Sequence, residues 1–184
     1  MKKKYVVLLI LVLLLIAGIS FFIPAKTVLS VSSRKNPGQR FYSSTAYKDG
    51  FIISYTHSVN KGRIHDFYSC DKNENLIVLQ SMHFVSYGAG IPEPEELPGA
   101  NFIAMDDYYI IANINRALPR LIMAVGLIAD HSFTPIALDH NYENNFENIE
   151  GEIFLTDYFE PQTSLILEIK KVSLADYALH KIDK

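Results

Sequence analysis

The sequence has a single cysteine and little positive charge, and both shortages exclude classes of protein. Cys70 has no partner within the chain, so no intrachain disulfide can stabilise the fold. The 184 residues include 17 basic and 20 acidic ones, for a net charge of −3. Lys2, Lys3 and Lys4 account for three of the basic residues. The rest of the chain therefore has 14 basic and 20 acidic residues. Binding of nucleic acid needs clustered lysine and arginine, and this composition argues against it.

Compact metal-binding and catalytic motifs are missing as well. The six histidines include no HxH or HxxxH pair, so a zinc site would need distant histidines to meet in space. Segment 71–75 alternates oxygen-bearing side chains but lacks the glycine and the terminal glutamate of a calcium loop. No recognisable nucleophile motif occurs. We therefore predict no catalytic residue, no metal and no cofactor, and a hydrolase using His57 with a carboxylate is the least favoured alternative.

The N-terminus joins the three lysines to a long apolar run. Residues 5–23 would form about 28 Å of α-helix, which is close to the hydrocarbon thickness of a bilayer. We predict a membrane anchor over residues 1–24, as a single pass with the lysines on the cytoplasmic side. Residues 25–184 would then form one extracytoplasmic domain. A cleaved signal peptide is the alternative, because Gly18-Ile19-Ser20 supplies the small residues of a cleavage site.

Short apolar segments separated by turns predict an all-β domain. No helical crossover lies between them, which argues against a parallel sheet. We predict an antiparallel β-sandwich or small barrel of about eight strands, in which residues 51–85 form a three-stranded meander. The segments rich in β-branched and aromatic residues are 28–31, 51–59, 64–70, 76–85, 101–105, 108–114, 121–129, 152–157 and 165–172.

Other segments are predicted to be loops or helix. The part of residues 25–47 that follows the first strand is interpreted as a connection. Residues 92–99 are acidic and proline-rich, and proline blocks both helix and central strand, so they are predicted to form a loop. Residues 139–150 are predicted to be a surface loop. Ser173 as N-cap, with Asp176 at the third helical position, predicts one short helix over 173–182.

The turn at Asn60-Lys61-Gly62 decides what His57 faces. A three-residue loop would place His57 opposite His65, as half of a metal site. A two-residue loop would place it opposite Asp66, as a histidine–carboxylate pair that could hold a polar ligand or a proton. The sequence leaves both registers open. In either register His57 and Ser58 point to opposite strand faces, so they cannot act together as base and nucleophile.

The glycines after the meander indicate a tight corner. Gly88-Ala89-Gly90 is not a phosphate loop, because no Lys-Ser or Lys-Thr follows and the prolines prevent a helix. Glycines at this place permit a tight turn or close approach of a ligand or partner. Together with the hairpin, they define our candidate ligand- or partner-binding residues: His57, Ser58, Asp66, Tyr68, Tyr87, Gly88, Gly90 and Pro92.

Three motifs at this spacing resemble a known family. They are Tyr55-Thr56-His57-Ser58-Val59, Asp66-Phe67-Tyr68 and Tyr87-Gly88-Ala89-Gly90-Ile91-Pro92. They are similar to the bacterial domain of unknown function 1850 family, over roughly residues 50–170. The resemblance implies a small extracytoplasmic protein, often N-terminally anchored, that accompanies TAXI-type tripartite ATP-independent periplasmic (TRAP) transporters. It implies an accessory role in solute uptake, with transporter subunits or a solute-binding protein as partners. A small-ligand or metal-binding β domain is the alternative.

Overall fold

The structure, a computed structural model, describes residues 2–87, 90–136 and 149–183. The helices of this part are α1 (Lys2–Phe22), α2 (Ser44–Asp49) and α3 (Leu174–His180), with 3₁₀ turns at Pro94–Glu96 and Leu155–Asp157. The strands are β1 (Pro24–Ser33), β2 (Arg40–Ser43), β3 (Phe51–Thr56), β4 (Arg63–Asp71), β5 (Leu76–Phe84), β6 (Asn101–Ala104), β7 (Tyr109–Ala112), β8 (Arg116–Leu118), β9 (Leu121–Ala124), β10 (Ser132–Pro135), β11 (Ile153–Phe154) and β12 (Ser164–Ser173).

The strands form two antiparallel sheets. The smaller has the order β2-β1-β12-β9, and the larger has the order β11-β10-β3-β4-β5-β7-β6, with β8 paired to β5. The prediction was an all-β antiparallel domain, and the fold is mostly β, with two antiparallel sheets and short helices. The expected number of about eight strands was too low, because β2, β8, β10 and β11 contain only two to four residues each. Strands this short carry too few residues to show a period of two.

The two sheets share a hydrophobic core. Phe51 lies at its centre and stacks against Tyr68 and Phe133, with ring centroids 5.0 and 5.4 Å apart. The smaller sheet contributes buried Leu29, Val31, Leu165 and Leu167. A second buried cluster, which is centred on Phe84, covers the same face of the larger sheet further along, under β5 and β7. The core therefore has two parts, which adjoin between β3 and β5.

The segment predicted to connect the first two strands contains β2 and α2. Ser43 caps α2, with its Oγ accepting a hydrogen bond from Ala46 N at 2.9 Å. The Asp183 carboxylate reaches the same helix end and accepts hydrogen bonds from Ser43 Oγ at 2.6 Å and from Ser44 N at 2.5 Å. A six-residue helix is therefore held by a carboxylate that lies about 140 positions further along the chain.

The C-terminal helix is confirmed, together with its cap. α3 begins after Ser173, whose Oγ accepts a hydrogen bond from Asp176 N at 3.1 Å. Residues 92–99 differ slightly from the prediction, because a single 3₁₀ turn lies within the loop at Pro94–Glu96. Most of the predicted loop over 139–150 lies outside the described residues.

The predicted anchor corresponds to α1, whose apolar side chains are exposed along its length. Among the helices that the structure describes, none is both long and apolar enough to cross a membrane. The predicted transmembrane span is therefore not confirmed.

Candidate functional site

The turn between β3 and β4 differs from both predicted hairpin loops. β3 ends at Thr56, which pairs with Arg63, so residues 57–62 form a six-residue connection. His57 consequently lies beyond the strand and faces neither His65 nor Asp66. Both predicted registers are wrong, because each assumed that the strand continues to the Asn60-Lys61-Gly62 turn.

The His57 side chain organises this connection, which we name the His57 turn (residues 57–62). Its Nδ1 accepts hydrogen bonds from Val59 N at 3.2 Å and from Asn60 N at 3.3 Å. The Lys61 N–H donates to His57 O at 3.1 Å, and Lys61 lies in the left-handed region with φ 60°. The imidazole, only 8% exposed, replaces the ladder hydrogen bonds that a longer hairpin would make. Because Nδ1 accepts, the neutral ring carries its proton on Nε2.

His57 also lines a cavity of about 330 Å³, which we name the loop-end cavity. One wall carries Thr56, His57, Ser58 and Lys61, and the other is the loop of residues 127–129. The Thr56 N–H donates to the carbonyl of residue 129 at 2.7 Å and ties the two walls together. The cavity therefore combines hydroxyl, imidazole and ammonium groups with an apolar wall.

The apolar wall is the part of this site that the sequence prediction missed. Residues 121–129 were interpreted as one strand, but β9 ends at Ala124. Leu127 and Ile128 are 67% and 73% exposed. A β-carbon on Gly126 would lie 2.7 Å from Ala129 Cβ, so a larger residue does not fit without a shift. The sequence signal for an apolar loop was Gly126, which is followed directly by the large aliphatic residues Leu127 and Ile128.

His131 forms a hydrogen bond with the start of the same loop. Its Nδ1 accepts a hydrogen bond from Gly126 N at 3.0 Å, and its ring stacks on Tyr55 with centroids 5.5 Å apart. Burial lowers the pKa of His131, and the nearby Arg63 guanidinium lowers it further. The ring is thus a neutral structural element beneath the loop-end cavity.

Tyr87, Gly90 and Pro92 follow β5, next to the His57 turn. Asn60 Nδ2 donates to Ser86 O at 3.1 Å and joins the two segments. Tyr87 is 43% exposed and packs edge-on against Phe84, with centroids 4.9 Å apart. Gly90 has φ +93°, a conformation that favours glycine. Gly88 lies outside the described residues.

Asp66 and Tyr68 lie on the inner face of the larger sheet, away from the loop-end cavity. Asp66 is opposite Ile53 on β3 and Met82 on β5. Its Oδ1 is sealed from solvent and has no hydrogen-bond partner among the described residues. Burial raises the pKa of Asp66 to about 7, against a smaller lowering by the Tyr68 hydroxyl. The candidate residues that the structure describes therefore fall into two groups, with Asp66 and Tyr68 in the core and the rest at the loop end.

The outer face of the larger sheet carries a row of buried polar side chains that sequence reasoning did not assemble. Ser132, Ser54, His65 and His83 are cross-strand neighbours on β10, β3, β4 and β5. Each is at most 5% exposed. The Ser54 Oγ and His65 Nδ1 atoms lie 2.7 Å apart. A serine with no exposed surface cannot reach a substrate, so this pair is structural.

An ion pair lies at the Ser132 end of this row of buried polar side chains. Arg63 Nη2 lies 2.7 Å from Glu152 Oε1, and Ser132 Oγ donates to the same oxygen at 2.5 Å. Burial acts to raise the pKa of Glu152, but the hydrogen bonds from Ser132 and Arg63 hold it below its usual range. Within residues 2–87, 90–136 and 149–183, no group of three or more histidine, cysteine or acidic side chains is placed to hold a metal.

Comparison with known proteins identifies one family. No curated protein and no solved structure matches the chain. The family model described as Domain of unknown function (DUF1850) matches residues 51–142. This match covers half of the 184 residues and includes β3 to β10, with both walls of the loop-end cavity. The chain therefore belongs to the DUF1850 family.

Proposed function

We propose that this chain is an extracytoplasmic accessory domain that binds a protein partner through the loop-end cavity and catalyses no reaction. The partner class is a component of a TAXI-type TRAP transporter, either a membrane subunit or the solute-binding protein. In this role the domain contributes to solute uptake. α1 holds the domain at the membrane next to that transporter.

The observation that carries the proposal is the exposed apolar surface around the loop-end cavity. Leu127 and Ile128 form one rim, and Val59, between the lining residues Ser58 and Lys61 in the His57 turn, is 73% exposed. Lys61 and Ser58 add polar groups at the same opening. An apolar centre with a polar rim is the usual anatomy of a protein interface, and exposed apolar patches of this kind mark interaction sites.

The exposed face of α1 supports the membrane location. Its aliphatic side chains are exposed from Val6 through Ile19. Apolar surface of this extent is stable only when lipid or protein covers it. Lys3 and Lys4 at its start can contact anionic headgroups.

The composition of the cavity supports binding rather than catalysis. His57 Nδ1 is occupied by two backbone N–H groups. None of the described residues that line the cavity is a carboxylate. Acid–base or nucleophilic catalysis needs a base oriented toward a nucleophile, and the carboxyl group of Asp66 faces the core instead.

Site-specific photo-crosslinking in cells tests the proposal. A benzophenone amino acid in place of Leu127 should crosslink to a subunit of the transporter or to its solute-binding protein. The matched control is the same replacement at Leu179, which is 80% exposed on α3. Equal crosslinking at both positions, or normal solute uptake in a strain that lacks this chain, would contradict the proposal.

The size of the loop-end cavity favours a second candidate, a small-ligand-binding domain. Its volume of about 330 Å³ lies within the range of about 300–1,000 Å³ that is typical of ligand sites. The Lys61 ammonium would then pair with an anionic group of the ligand. A screen of small carboxylates by thermal shift tests this, and Lys61→Met should abolish any shift that the native protein shows.

A further inference from the structure

A second cavity, of about 300 Å³, lies on the outer face of the larger sheet. We name it the outer-face cavity. Its floor is formed by Ser81 and His83 on β5 and by Ile110 and Ala112 on β7. It shares no lining residue with the loop-end cavity. The function proposed above makes no use of it.

The rim of the outer-face cavity is apolar and open to solvent. Ile103 lies on the edge strand β6 and is 42% exposed. Met105 directly follows β6, at the start of the turn to β7, and is 46% exposed. A bound molecule would cover both side chains and remove their apolar surface from water. The methionine thioether also makes favourable contacts with aromatic rings.

The floor of the cavity contains one aromatic ring, that of His83, and carries no charge at neutral pH. The His83 ring lies 4.4 Å from the Phe67 ring and faces Tyr108 at an interplanar angle of 18°. Burial lowers the pKa of His83 to about 4, so the imidazole is neutral. None of the described lining residues is a lysine, arginine, aspartate or glutamate. The Ser81 hydroxyl supplies a group that can donate or accept one hydrogen bond.

We propose that the outer-face cavity binds a small uncharged ring compound with one hydrogen-bonding group. A charged ligand would lose its hydration here without gaining a counter-charge, which is costly. The volume sets the size, because a dry apolar cavity of about 150 Å³ holds benzene. About twice that volume accommodates two fused rings. Indole satisfies the size, the neutrality and the single N–H donor, and it serves as the probe.

Methionine-methyl NMR of the full chain in detergent micelles tests the proposal. With ¹³C-methyl methionine, indole should move the Met105 resonance along a saturable curve. Met82 and Met123 face the core and provide internal references, so their resonances should not move. Benzoate, a charged ring of similar size, should leave Met105 unchanged.

Three variants separate binding in the cavity from partition into the micelle. Ala112→Leu fills the floor and should weaken the apparent indole affinity about tenfold or more. Ala117→Leu on β8 is the matched control, because Ala117 is exposed and lies outside the cavity. Ile103→Gln alters only the exposed rim, so its effect does not depend on repacking of the floor, and it should also weaken binding. A Met105 chemical shift that changes linearly with indole concentration would overturn the proposal. Equal affinities of Ala112→Leu and Ala117→Leu for indole would overturn it as well.

Discussion

Replacing Asp66 with asparagine should remove a loss of stability that this carboxyl group causes as pH rises. Asp66 lies on the inner face of β4, at the junction of the two core clusters. The residue as a whole is partly buried, but its Oδ1 is sealed from solvent and has no partner among the described residues. The Tyr68 hydroxyl is the polar neighbour of Asp66 on the same strand. Burial raises the pKa of Tyr55, and the charge of the nearby Asp66 carboxylate raises it further. Burial therefore disfavours the charged form of Asp66.

The sign and size of the effect follow from the two pKa values of this carboxyl group. The folded-state pKa is about 7, and the ordinary value is 3.8. Between these values the folded chain binds the proton and the unfolded chain does not, so folding becomes less favourable as pH rises. The stability associated with protonated Asp66 is complete below about pH 4 and is lost as pH passes 7. A difference of about 3 pH units corresponds to about 4 kcal/mol.

Asparagine keeps the shape of aspartic acid but does not titrate. The free energy of unfolding of Asp66→Asn is compared with that of the native chain at pH 4 and at pH 8. Relative to the native chain, the variant should be about 4 kcal/mol more stable at pH 8 than it is at pH 4. Urea unfolding followed by far-ultraviolet circular dichroism in detergent micelles measures it. Asp107→Asn, at an exposed position, is the control and should show little change. A difference between Asp66→Asn and the native chain that is independent of pH would refute the reasoning.

Three further substitutions test other parts of the structure. Asp183→Ala removes the carboxylate that holds the start of α2 and should cost about 2 kcal/mol in thermal unfolding; an unchanged melting temperature would show that the helix needs no such partner. Gly126→Ala places a β-carbon against Ala129 and the His131 ring, so it should lower the melting temperature and, in the crosslinking assay, reduce capture from Leu127. Arg63→Met leaves Glu152 without its guanidinium partner and should destabilise by about 3 kcal/mol, while adding Glu152→Gln should recover part of this loss. Equal stabilities of the single and double variants would contradict the assigned ion pair.

Local signals in the sequence were sufficient for several elements. The Ser173 cap and the position of Asp176 predicted α3, because capping depends on residues only three positions apart. The longer strands β3, β4, β5 and β12 were recognisable from runs of β-branched and aromatic residues. Prolines correctly marked residues 92–99 as a loop, apart from its single 3₁₀ turn.

Long-range contacts explain the elements and site residues that sequence reasoning missed. α2 depends on Asp183, and no local rule links a carboxylate to a helix about 140 residues away. The His57 turn was misassigned because the imidazole, rather than a partner strand, satisfies the backbone N–H groups. The apolar wall of the loop-end cavity was assigned to a strand, because Leu127 and Ile128 have the composition of one.

The sequence by itself determined the mostly β architecture, the apolar helix at the N-terminus, the C-terminal helix and the DUF1850 family motifs. These depend on periodicity, composition and short spacings, which remain the same wherever the chain is placed in space. Only the tertiary structure decided that His57 lies at a cavity with Leu127 and Ile128, and that Asp66 points into the core. The reason is the register of β3 and β4. A shift of one residue between antiparallel strands exchanges the faces of every side chain, and the observed pairing of Thr56 with Arg63 follows neither of the predicted turns.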